Sequence, residues 1–535
     1  MKTGIIPAPA HMRAGSGVCR LSGAMHIEKN DFEPYCTEAF FERTGLSRGG
    51  GPSLILEKAA MAEEAYTLCI GEDSVTVRAA GERGVIWALT TLYALIDGGS
   101  LPVCEIDDAP EYPHRGLSLD CARHFFPAAE VRRIIEGISL AKINTLHWHL
   151  SDDQGWRIES RVFPKLCAQS GEYYTQEEIR GVVEYARLRG VEIIPEIDMP
   201  GHVSAILAAY PELSCTGEPV DIKTCGGIFS VILCAGKEGV FDFIEKLLDE
   251  LCPLFASERF HIGGDEAPKL RWHNCPDCQK RMAALGLAHT EQLQGYFTCR
   301  VAEMLRRHGK KPVCWNEALR AGRVPEDVQI QYWTLQHRAQ MQRFAEGGRW
   351  IYSDMFELYL DYPHSMTALK KVYETRAHFG RAAYSGSSLD GFEACLWSEH
   401  IDNAALLERR IFPRIYALAE VAWGSARSYA DFKARLCAAL PRLERAGLTY
   451  TAEDWWDPQG AARRGAWLSC EDERRHAGGD TRRGAGRGEA EPRIRAQLRE
   501  PLFPPDGHSG AAALDDGAQE MILNISLLHF CADNV

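Results

Sequence analysis

The chain has 535 residues, of which 45% are hydrophobic and 25% charged, and these values exclude a largely disordered, collagen-like or membrane-embedded chain. A (β/α)8 barrel takes about 250 residues, so a barrel with flanking pieces fits this length as well as roughly three to four ordinary domains do. The formal net charge of −14 argues against a general nucleic-acid binder, because neutralising phosphates requires clustered Lys and Arg.

We expect neither a signal peptide nor a membrane-spanning segment from this sequence. No apolar stretch approaches the roughly 18 residues that would span a bilayer, and Pro7 and Pro9 come too early for the apolar core of a signal peptide. The 18 cysteines are scattered, and many stand inside apolar runs, so we expect reduced thiols rather than a disulfide framework. We therefore expect a cytoplasmic protein, unless its true start has been lost.

Residues 1–110 predict a small α+β domain. Short β-type runs at 53–56, 65–70 and 74–78 are followed by a helix over 82–97, whose apolar residues fall on one face. The domain is expected to end near Asp108-Ala109-Pro110.

Over residues 111–430 the pattern changes to strands that alternate with helices. One helical period begins at a Thr175/Glu178 capping box and ends at Gly190. Eight apolar runs have the length of buried parallel strands: 116–119, 145–150, 191–197, 260–263, 312–315, 328–333, 350–353 and 392–397. Eight strands alternating with helices predict a (β/α)8 TIM barrel, with a doubly wound open sheet as the alternative.

The end of the chain differs in composition. Helical sequence continues through 431–455, which we interpret as a helical extension of the barrel. Beyond it, 456–535 is expected to be a disordered tail, because residues 461–500 are rich in Arg and Gly and contain no Lys.

Polar side chains accumulate where the predicted strands end. In a TIM barrel the reactive groups sit at the carboxyl ends of the strands. A single acid there is usually a helix cap or an ion-pair partner, but many charges at one rim would be costly to bury without a task. Trp beside carboxylates is also how proteins hold sugars, because the ring packs on the apolar face of a pyranose. The pattern therefore indicates a pocket that processes glycosides.

Six ordered motifs resemble glycoside hydrolase family 20, the β-N-acetylhexosaminidases. They begin at Arg115-Gly-Leu-Ser-Leu-Asp-Cys-Ala-Arg123 and include His261-Ile-Gly-Gly-Asp265-Glu266. The others are the stretch 147–157, Glu196-Ile-Asp-Met-Pro-Gly-His202, Trp315-Asn-Glu317 and Trp397-Ser-Glu399. The resemblance covers about residues 5–430 and implies an exo-acting enzyme that removes terminal β-linked N-acetylglucosamine or N-acetylgalactosamine.

The resemblance also implies an unusual nucleophile. A retaining glycosidase ordinarily needs an acid and a carboxylate nucleophile about 5–5.5 Å apart across the sugar. Asp265 and Glu266 are sequence neighbours with Cα atoms about 3.8 Å apart, so they are poorly placed to act from opposite faces. The implied solution is that the substrate's own 2-acetamido oxygen attacks the anomeric carbon.

The catalytic roles follow from this chemistry. Glu266 is the expected general acid and base, with a pKa raised by burial and by Asp265. Asp265 is expected to stay ionised and to orient the acetamide N–H, while Tyr359 donates its hydroxyl to the acetamide oxygen. In the family pattern an Asp–His pair supports the acid, and the matching residues are Asp152 and His202, with Asp153 an equal alternative to Asp152.

The remaining candidates are expected to bind substrate. Trp315, Trp333 and Trp397 would enclose the acetyl methyl group and the ring. Arg115 and Glu399 would hold the 3-, 4- and 6-hydroxyls, with Asp361 as a further contact. Asp120 and Arg123 are interpreted as an ion pair at the rim, and Glu196 and Asp198 as structural residues.

No metal or other cofactor is expected. His147 and His149 alternate on one strand as metal ligands do in some barrel hydrolases, but no complementary ligand set accompanies them. Cys275-Pro-Asp-Cys278 could be half of a zinc site, but no second Cys-x-x-Cys pair follows.

Three alternative functions stay open: a metal-dependent hydrolase, a family member that releases a disaccharide such as lacto-N-biose, and an inactive carbohydrate-binding protein. The expected partner is a glycan with a terminal β-linked N-acetylhexosamine, without nucleic acid or membrane, and a homo-oligomer is left open.

Overall fold

The computed structural model describes residues 4–322 and 324–458. The amino-terminal region forms one six-stranded sheet in the order β1-β6-β4-β5-β3-β2, with two helices. Its elements are β1 (His11–Arg20), β2 (His26–Asn30), α1 (Glu38–Thr44), β3 (Ser53–Lys58), β4 (Tyr66–Ile70), β5 (Ser74–Ala79), α2 (Glu82–Leu95) and β6 (Ser100–Asp108). Alternate residues of β4 and β5 are buried, and they share a core with the apolar face of α2. The predicted α+β domain is confirmed.

Eight parallel strands close into a barrel in the order β11-β12-β13-β14-β15-β18-β7-β8. They are β7 (His114–Asp120), β8 (Thr145–His149), β11 (Glu192–Glu196), β12 (Arg259–His261), β13 (Lys311–Trp315), β14 (Gln329–Tyr332), β15 (Trp350–Tyr352) and β18 (Leu389–Leu396). Two small hairpins pair β9 (Ser151–Asp152) with β10 (Gly155–Trp156) and β16 (His378–Phe379) with β17 (Ala382–Ala383). Each of the eight predicted strands is present, and the open-sheet alternative is wrong because the sheet closes.

Helices follow the barrel strands and bury one face against them. They are α3 (Ala128–Ser139), α4 (Lys165–Ser170), α5 (Gln176–Arg187), α6 (Ser204–Ala209), α7 (Glu238–Leu251), α8 (Leu270–Asn274), α9 (Pro276–Leu285), α10 (Thr290–Arg307), α11 (Arg338–Phe344), α12 (Met355–Leu358), α13 (Leu369–Tyr373), α14 (Ala404–Ile411), α15 (Arg414–Ala422) and α16 (Tyr429–Arg445). The predicted capping box starts α5, where the Thr175 side chain accepts from the Glu178 N–H and Glu178 accepts from the Thr175 N–H. Within 4–322 and 324–458, every helix is too short or too polar to cross a membrane.

Helix α16, the last helix within the described residues, contains most of the predicted extension at 431–455. Trp456, which the sequence pattern assigned to the tail, is fully buried, and its indole N–H donates to the Thr451 carbonyl at 2.7 Å. Its own carbonyl accepts from the Leu369 N–H. The packed region therefore reaches beyond 455, while the rest of the predicted tail, 459–535, lies outside the described residues.

Buried ionic contacts join the amino-terminal domain to the barrel, and two of them involve Glu136 and Arg115. At the first, Glu136 of α3 binds Arg43 of α1 at 2.7 Å and Arg189 at 2.5 Å. Burial alone would raise the pKa of Glu136, but the two guanidinium groups outweigh it and lower the pKa to about 2. This carboxylate therefore stabilises the folded chain in its ionised form.

The second contact lies beneath the amino ends of the strands. Arg115, the second residue of β7, donates to Glu64 of the amino-terminal domain and to the carbonyls of Lys142 and Tyr112. Its guanidinium lies 4.9 Å from the ring centre of Trp423, and its side chain is fully buried. Arg115 thus connects the two domains through its hydrogen bonds.

We expect Glu136→Gln to lower the free energy of unfolding at pH 7 by about 3 kcal/mol, since a carboxyl pKa of 2 in the folded state contrasts with about 4.5 in the unfolded chain. A lowered folded-state pKa contributes stability above pH 4.5 that is lost as the pH falls towards 2. The melting-temperature gap between wild type and variant should therefore be clear at pH 7 and narrow at pH 3.

The matched control is Glu303→Gln, which removes an exposed carboxylate paired with Arg306. It should change the melting temperature little at either pH. A gap for Glu136→Gln that is equally wide at pH 3 and pH 7 would contradict the ionic role of Glu136.

Candidate active site

The loop that follows β12 brings two adjacent carboxylates to the barrel mouth. Gly263 and Gly264 have φ values of 67° and 97°, and a Cβ on Gly263 would lie 1.8 Å from an Asp198 oxygen, so only glycine fits there. Glu266 itself has φ 42°, which is uncommon for a residue with a side chain. Backbone strain of this kind persists where the surroundings impose it, as at functional sites. The loop thus turns sharply at Asp265 and Glu266.

His202 holds the Glu266 side chain from below. Its Nε2 lies 3.4 Å from Glu266 Oε2, and its Nδ1 lies 3.2 Å from Asp152 Oδ1 and 3.3 Å from Asp153 Oδ2. Burial would lower the pKa of His202, but Asp152, Asp153 and Glu266 raise it well above its ordinary value. The imidazole is therefore a cation between carboxylates. Asp152 and Asp153, equal alternatives from sequence, both contact it.

Arg123 completes this ionic chain. Its Nη2 lies 2.7 Å from Asp152 Oδ2, its Nη1 lies 3.4 Å from Asp120, and its guanidinium lies 5.0 Å from the ring centre of Trp397. The predicted Asp120–Arg123 rim pair is confirmed. Although burial opposes ionisation of Asp152, Arg123 and His202 hold the pKa of that carboxyl far below its usual range.

A second network lies inside the barrel beneath the mouth. Glu196 of β11 contacts His149 Nδ1 at 2.5 Å, His147 Nε2 at 3.0 Å and His261 Nδ1 at 3.0 Å, and it accepts from the Trp315 indole N–H at 2.9 Å. All of these side chains are buried. These contacts agree with the predicted structural role of Glu196, since it binds Trp315 and the two histidines of β8.

Burial and then repulsion among carboxyl groups raise several pKa values at the mouth. Burial, followed by the charges of Glu266 and Glu196, raises the pKa of Asp265 to about 6, although His202 opposes the shift. Burial and the charges of Asp265 and Glu266 raise the pKa of Glu317 to about 7. Burial and Asp265 also raise the pKa of Asp198. Asp265 is therefore mainly ionised at neutral pH and becomes protonated below about pH 6.

An aromatic box stands beside the acidic loop. Trp315, Tyr359 and Cys395 form its buried part, and Trp333 and Trp397 pack against them half-buried. The rings of Trp333 and Tyr359 are stacked with centres 6.4 Å apart, and Trp397 lies 5.8 Å from Trp315 and 6.0 Å from Tyr359. The structure thus brings together the four aromatic residues that the sequence assigned to the acetamide pocket.

Arg115 is the one predicted site residue that the structure places elsewhere. It lies near the amino end of β7, whereas the site begins after Asp120 at the other end of that strand, about 16 Å away for a rise of about 3.3 Å per residue. Its guanidinium is occupied by Glu64 and two carbonyls. The prediction that Arg115 holds sugar hydroxyls is therefore wrong, and Arg123 is the arginine at the mouth.

The other binding candidates lie on loops at the same end of the barrel. Asp361 follows α12, Glu399 follows β18, and both are partly buried. Tyr362 also belongs to the site, because it packs on Tyr359 with ring centres 6.0 Å apart. Burial, and to a smaller extent the charges of Asp361, Glu399 and Glu266, raise the pKa of its hydroxyl. Sequence reasoning missed Tyr362, and its one available signal was its position three residues after Tyr359.

Carboxylates, an arginine and a ring of tryptophans at the mouth of a TIM barrel define a carbohydrate-processing site. The chain matches the model of the glycosyl hydrolase family 20 catalytic domain over residues 112–426 and that of domain 2 of the same family over 2–109. It therefore belongs to glycosyl hydrolase family 20.

Individual proteins agree with this assignment. The chain is 33% identical to a β-hexosaminidase of Porphyromonas gingivalis over 72% of its own length, and it spans about half, 54%, of that relative. It is 31% identical to a β-hexosaminidase of Akkermansia muciniphila, over 71% of this chain and 84% of the relative. A crystal structure of a family 20 exo-β-N-acetylglucosaminidase from Vibrio harveyi in complex with N-acetylglucosamine superposes with a TM-score of 0.76 at 28% identity, covering 84% of this chain and 79% of that one.

We expect Arg115→Met to lower the free energy of unfolding by roughly 3 kcal/mol, because it removes the nearer of the two guanidinium groups that pair with the buried Glu64 and leaves only Arg83, at 3.6 Å. The KM of the folded enzyme for a chromogenic β-N-acetylhexosaminide should stay near the wild-type value. Arg123→Met is the comparison variant, and it should raise KM because it alters the mouth itself. Thermal melts and steady-state kinetics measure both effects, and a large rise in KM for Arg115→Met without loss of stability would restore Arg115 to the site.

Proposed function

We propose that the chain is an exo-acting retaining glycoside hydrolase that removes terminal β-linked N-acetylglucosamine or N-acetylgalactosamine. The observation that carries this proposal is the placement of Asp265 and Glu266 on one sharp turn beside the aromatic box. Two adjacent carboxylates approach a sugar from one side, and the nucleophile that we propose for the opposite face is the 2-acetamido oxygen of the substrate.

In the first step the acetamide oxygen attacks C1 while Glu266 transfers its proton to the glycosidic oxygen. The C1–O bond breaks, the aglycone leaves as an alcohol, and a positively charged oxazolinium ring remains. In the second step Glu266, now ionised, takes a proton from water, and the resulting hydroxide attacks C1 and reopens the ring. Two inversions at C1 give net retention of configuration.

Asp265 and Tyr359 hold the acetamide in its reactive pose. The Asp265 carboxylate accepts the acetamide N–H and balances the charge of the oxazolinium ring. Tyr359, which is buried between Trp333 and Trp397, donates its hydroxyl to the acetamide oxygen. Since burial raises the pKa of Tyr359 well above its ordinary value, the hydroxyl keeps the proton it has to donate.

His202 and Asp152 support the acid. The imidazolium at 3.4 Å stabilises the carboxylate that forms when Glu266 gives up its proton. Asp152, itself paired with Arg123 at 2.7 Å, keeps that imidazole charged and oriented. The charges of His202, Asp152 and Arg123 therefore keep the same positions while Glu266 gives up its proton.

The rest of the pocket recognises the sugar ring. Trp315, Trp333 and Trp397 enclose the acetyl methyl group and an apolar ring face. Glu399 and Asp361 hold ring hydroxyls, and Arg123 takes the part that Arg115 had in the sequence-based assignment.

A metal-dependent hydrolase built on His147 and His149 fits less well. Both nitrogens of His149 contact carboxylates, Glu196 at 2.5 Å and Asp152 at 3.1 Å. Both nitrogens of His147 do so too, at 3.0 Å to Glu196 and 2.9 Å to Glu393. These contacts support a structural role inside the barrel. The disaccharide-releasing alternative, a cytoplasmic location and a homo-oligomer stay predictions, as does the lack of nucleic-acid and membrane partners.

The decisive assay is a panel of chromogenic β-glycosides with and without the 2-acetamido group. We expect the N-acetylglucosaminide or N-acetylgalactosaminide to be cleaved and the plain β-glucoside and β-galactoside to be nearly inert, because the proposed nucleophile is the 2-acetamido oxygen of the substrate. In the same assay Glu266→Gln should reduce turnover on glycosides with poor leaving groups by orders of magnitude while still binding N-acetylglucosamine. Rapid cleavage of the plain β-glucoside would contradict the proposal and point to Glu317 or Glu399 as a protein nucleophile.

A further inference from the structure

Four cysteine thiols meet at the carboxyl side of the barrel, and the proposed reaction uses none of the four. Cys215 and Cys234 belong to the segment between α6 and α7, and Cys275 and Cys278 lie where α9 begins, beyond β12. We call these four residues the cysteine cluster. Cys234, Cys275 and Cys278 are buried, and Cys215 is partly buried. The upstream pair is the half that the Cys275-Pro-Asp-Cys278 motif lacked in the sequence.

The sulfur separations match a tetrahedron around one ion. Cys234 Sγ lies 3.6 Å from Cys278 Sγ and 3.7 Å from Cys275 Sγ, and Cys215 Sγ lies 4.0 Å from Cys278 Sγ. All four sulfurs lie within 4.8 Å of one another. Four thiolates bound at about 2.3 Å to a tetrahedral Zn²⁺ would stand about 3.8 Å apart.

Other uses of four cysteines fit these distances less well. A disulfide requires two sulfurs at about 2.05 Å, well short of the separations in the cysteine cluster. An iron–sulfur cluster spreads its cysteine ligands over several irons, which holds their sulfurs farther apart than ligands of a single ion. A site made only of sulfur, tetrahedral and enclosed, is typical of structural zinc.

The surrounding backbone is built for close approach at this point. A Cβ on Gly236 would lie 2.2 Å from the Asp277 carbonyl carbon and 2.3 Å from the Cys278 nitrogen, so the two loops touch through a glycine. The Trp272 indole N–H donates to the Leu233 carbonyl at 2.8 Å, next to Cys234. Both contacts hold the segment with Cys215 and Cys234 close to the segment with Cys275 and Cys278.

We propose that the cysteine cluster is a structural zinc site in which all four thiolates bind one Zn²⁺. Binding displaces the thiol protons into solvent and involves no change of oxidation state. Four protein ligands leave no open coordination position, so the ion takes no part in the glycosidase reaction.

The site would fasten together the two loops that carry the catalytic groups. The segment from β11 to α7 also contains His202, and the segment after β12 also contains Asp265 and Glu266. Leu233 donates its N–H to the Pro200 carbonyl at 3.0 Å, two residues before His202. A zinc ion here would therefore preserve the 3.4 Å contact between His202 and Glu266.

The direct test is the metal content of the full chain, purified without chelators and measured by inductively coupled plasma mass spectrometry. We expect about one zinc per chain in the wild type and in Cys299→Ser, which removes an exposed thiol outside the cysteine cluster. Cys275→Ser and Cys278→Ser should lose at least nine-tenths of the zinc, melt at a lower temperature, and lose about tenfold to a hundredfold in kcat because the catalytic loops shift.

A second measurement on the wild type covers the case in which the serine variants do not fold. Protein produced with Co²⁺ in place of Zn²⁺ should show the intense visible bands of cobalt bound by four thiolates. The proposal would be overturned if the wild-type protein were purified without bound metal. The thiols of the cysteine cluster would then either react with a thiol reagent or form two disulfides, and mass spectrometry detects both. Neither the metal content nor the cobalt spectrum depends on the proposed glycosidase activity.

Discussion

The position of two carboxylates on one turn is the constraint on which the rest of the site depends. Asp265 and Glu266 follow Gly263 and Gly264, and Glu266 adopts a left-handed backbone conformation. In the proposed mechanism both groups act from one side of a bound sugar, and the substrate's acetamide attacks the opposite face of the anomeric carbon. The aromatic box and Asp265 are proposed to hold the acetamide, and the ionic chain from Arg123 through Asp152 and His202 is proposed to support the acid.

Around this turn the fold provides rigidity at two levels. Inside the barrel, Glu196 binds three histidines and the Trp315 indole, so the floor of the pocket is a fully buried charged network. On the side of the barrel opposite the active site, Arg115 and Glu136 connect the amino-terminal domain to the barrel through ion pairs. The proposed zinc site would add a third attachment on the catalytic side.

Much of this could be predicted from sequence, because the strong patterns are local. Apolar runs of strand length indicated all eight barrel strands, and a capping box marked the start of α5. Arg115 and Arg123 stand in one motif, but the strand between them separates them by its full length, and only Arg123 follows the carboxyl end. The cysteine cluster was not predictable, because Cys215 and Cys234 meet Cys275 and Cys278 only through the tertiary packing of two loops.

The most direct measurement of the central claim is a crystal structure of the protein soaked with a stable mimic of the cyclic oxazoline intermediate. The account predicts that the fused ring lies in the aromatic box, with its nitrogen at hydrogen-bond distance, about 2.9 Å, from the Asp265 carboxylate, and with Glu266 beside the anomeric carbon. An empty turn at Asp265 and Glu266, with the compound bound elsewhere or not at all, would contradict it.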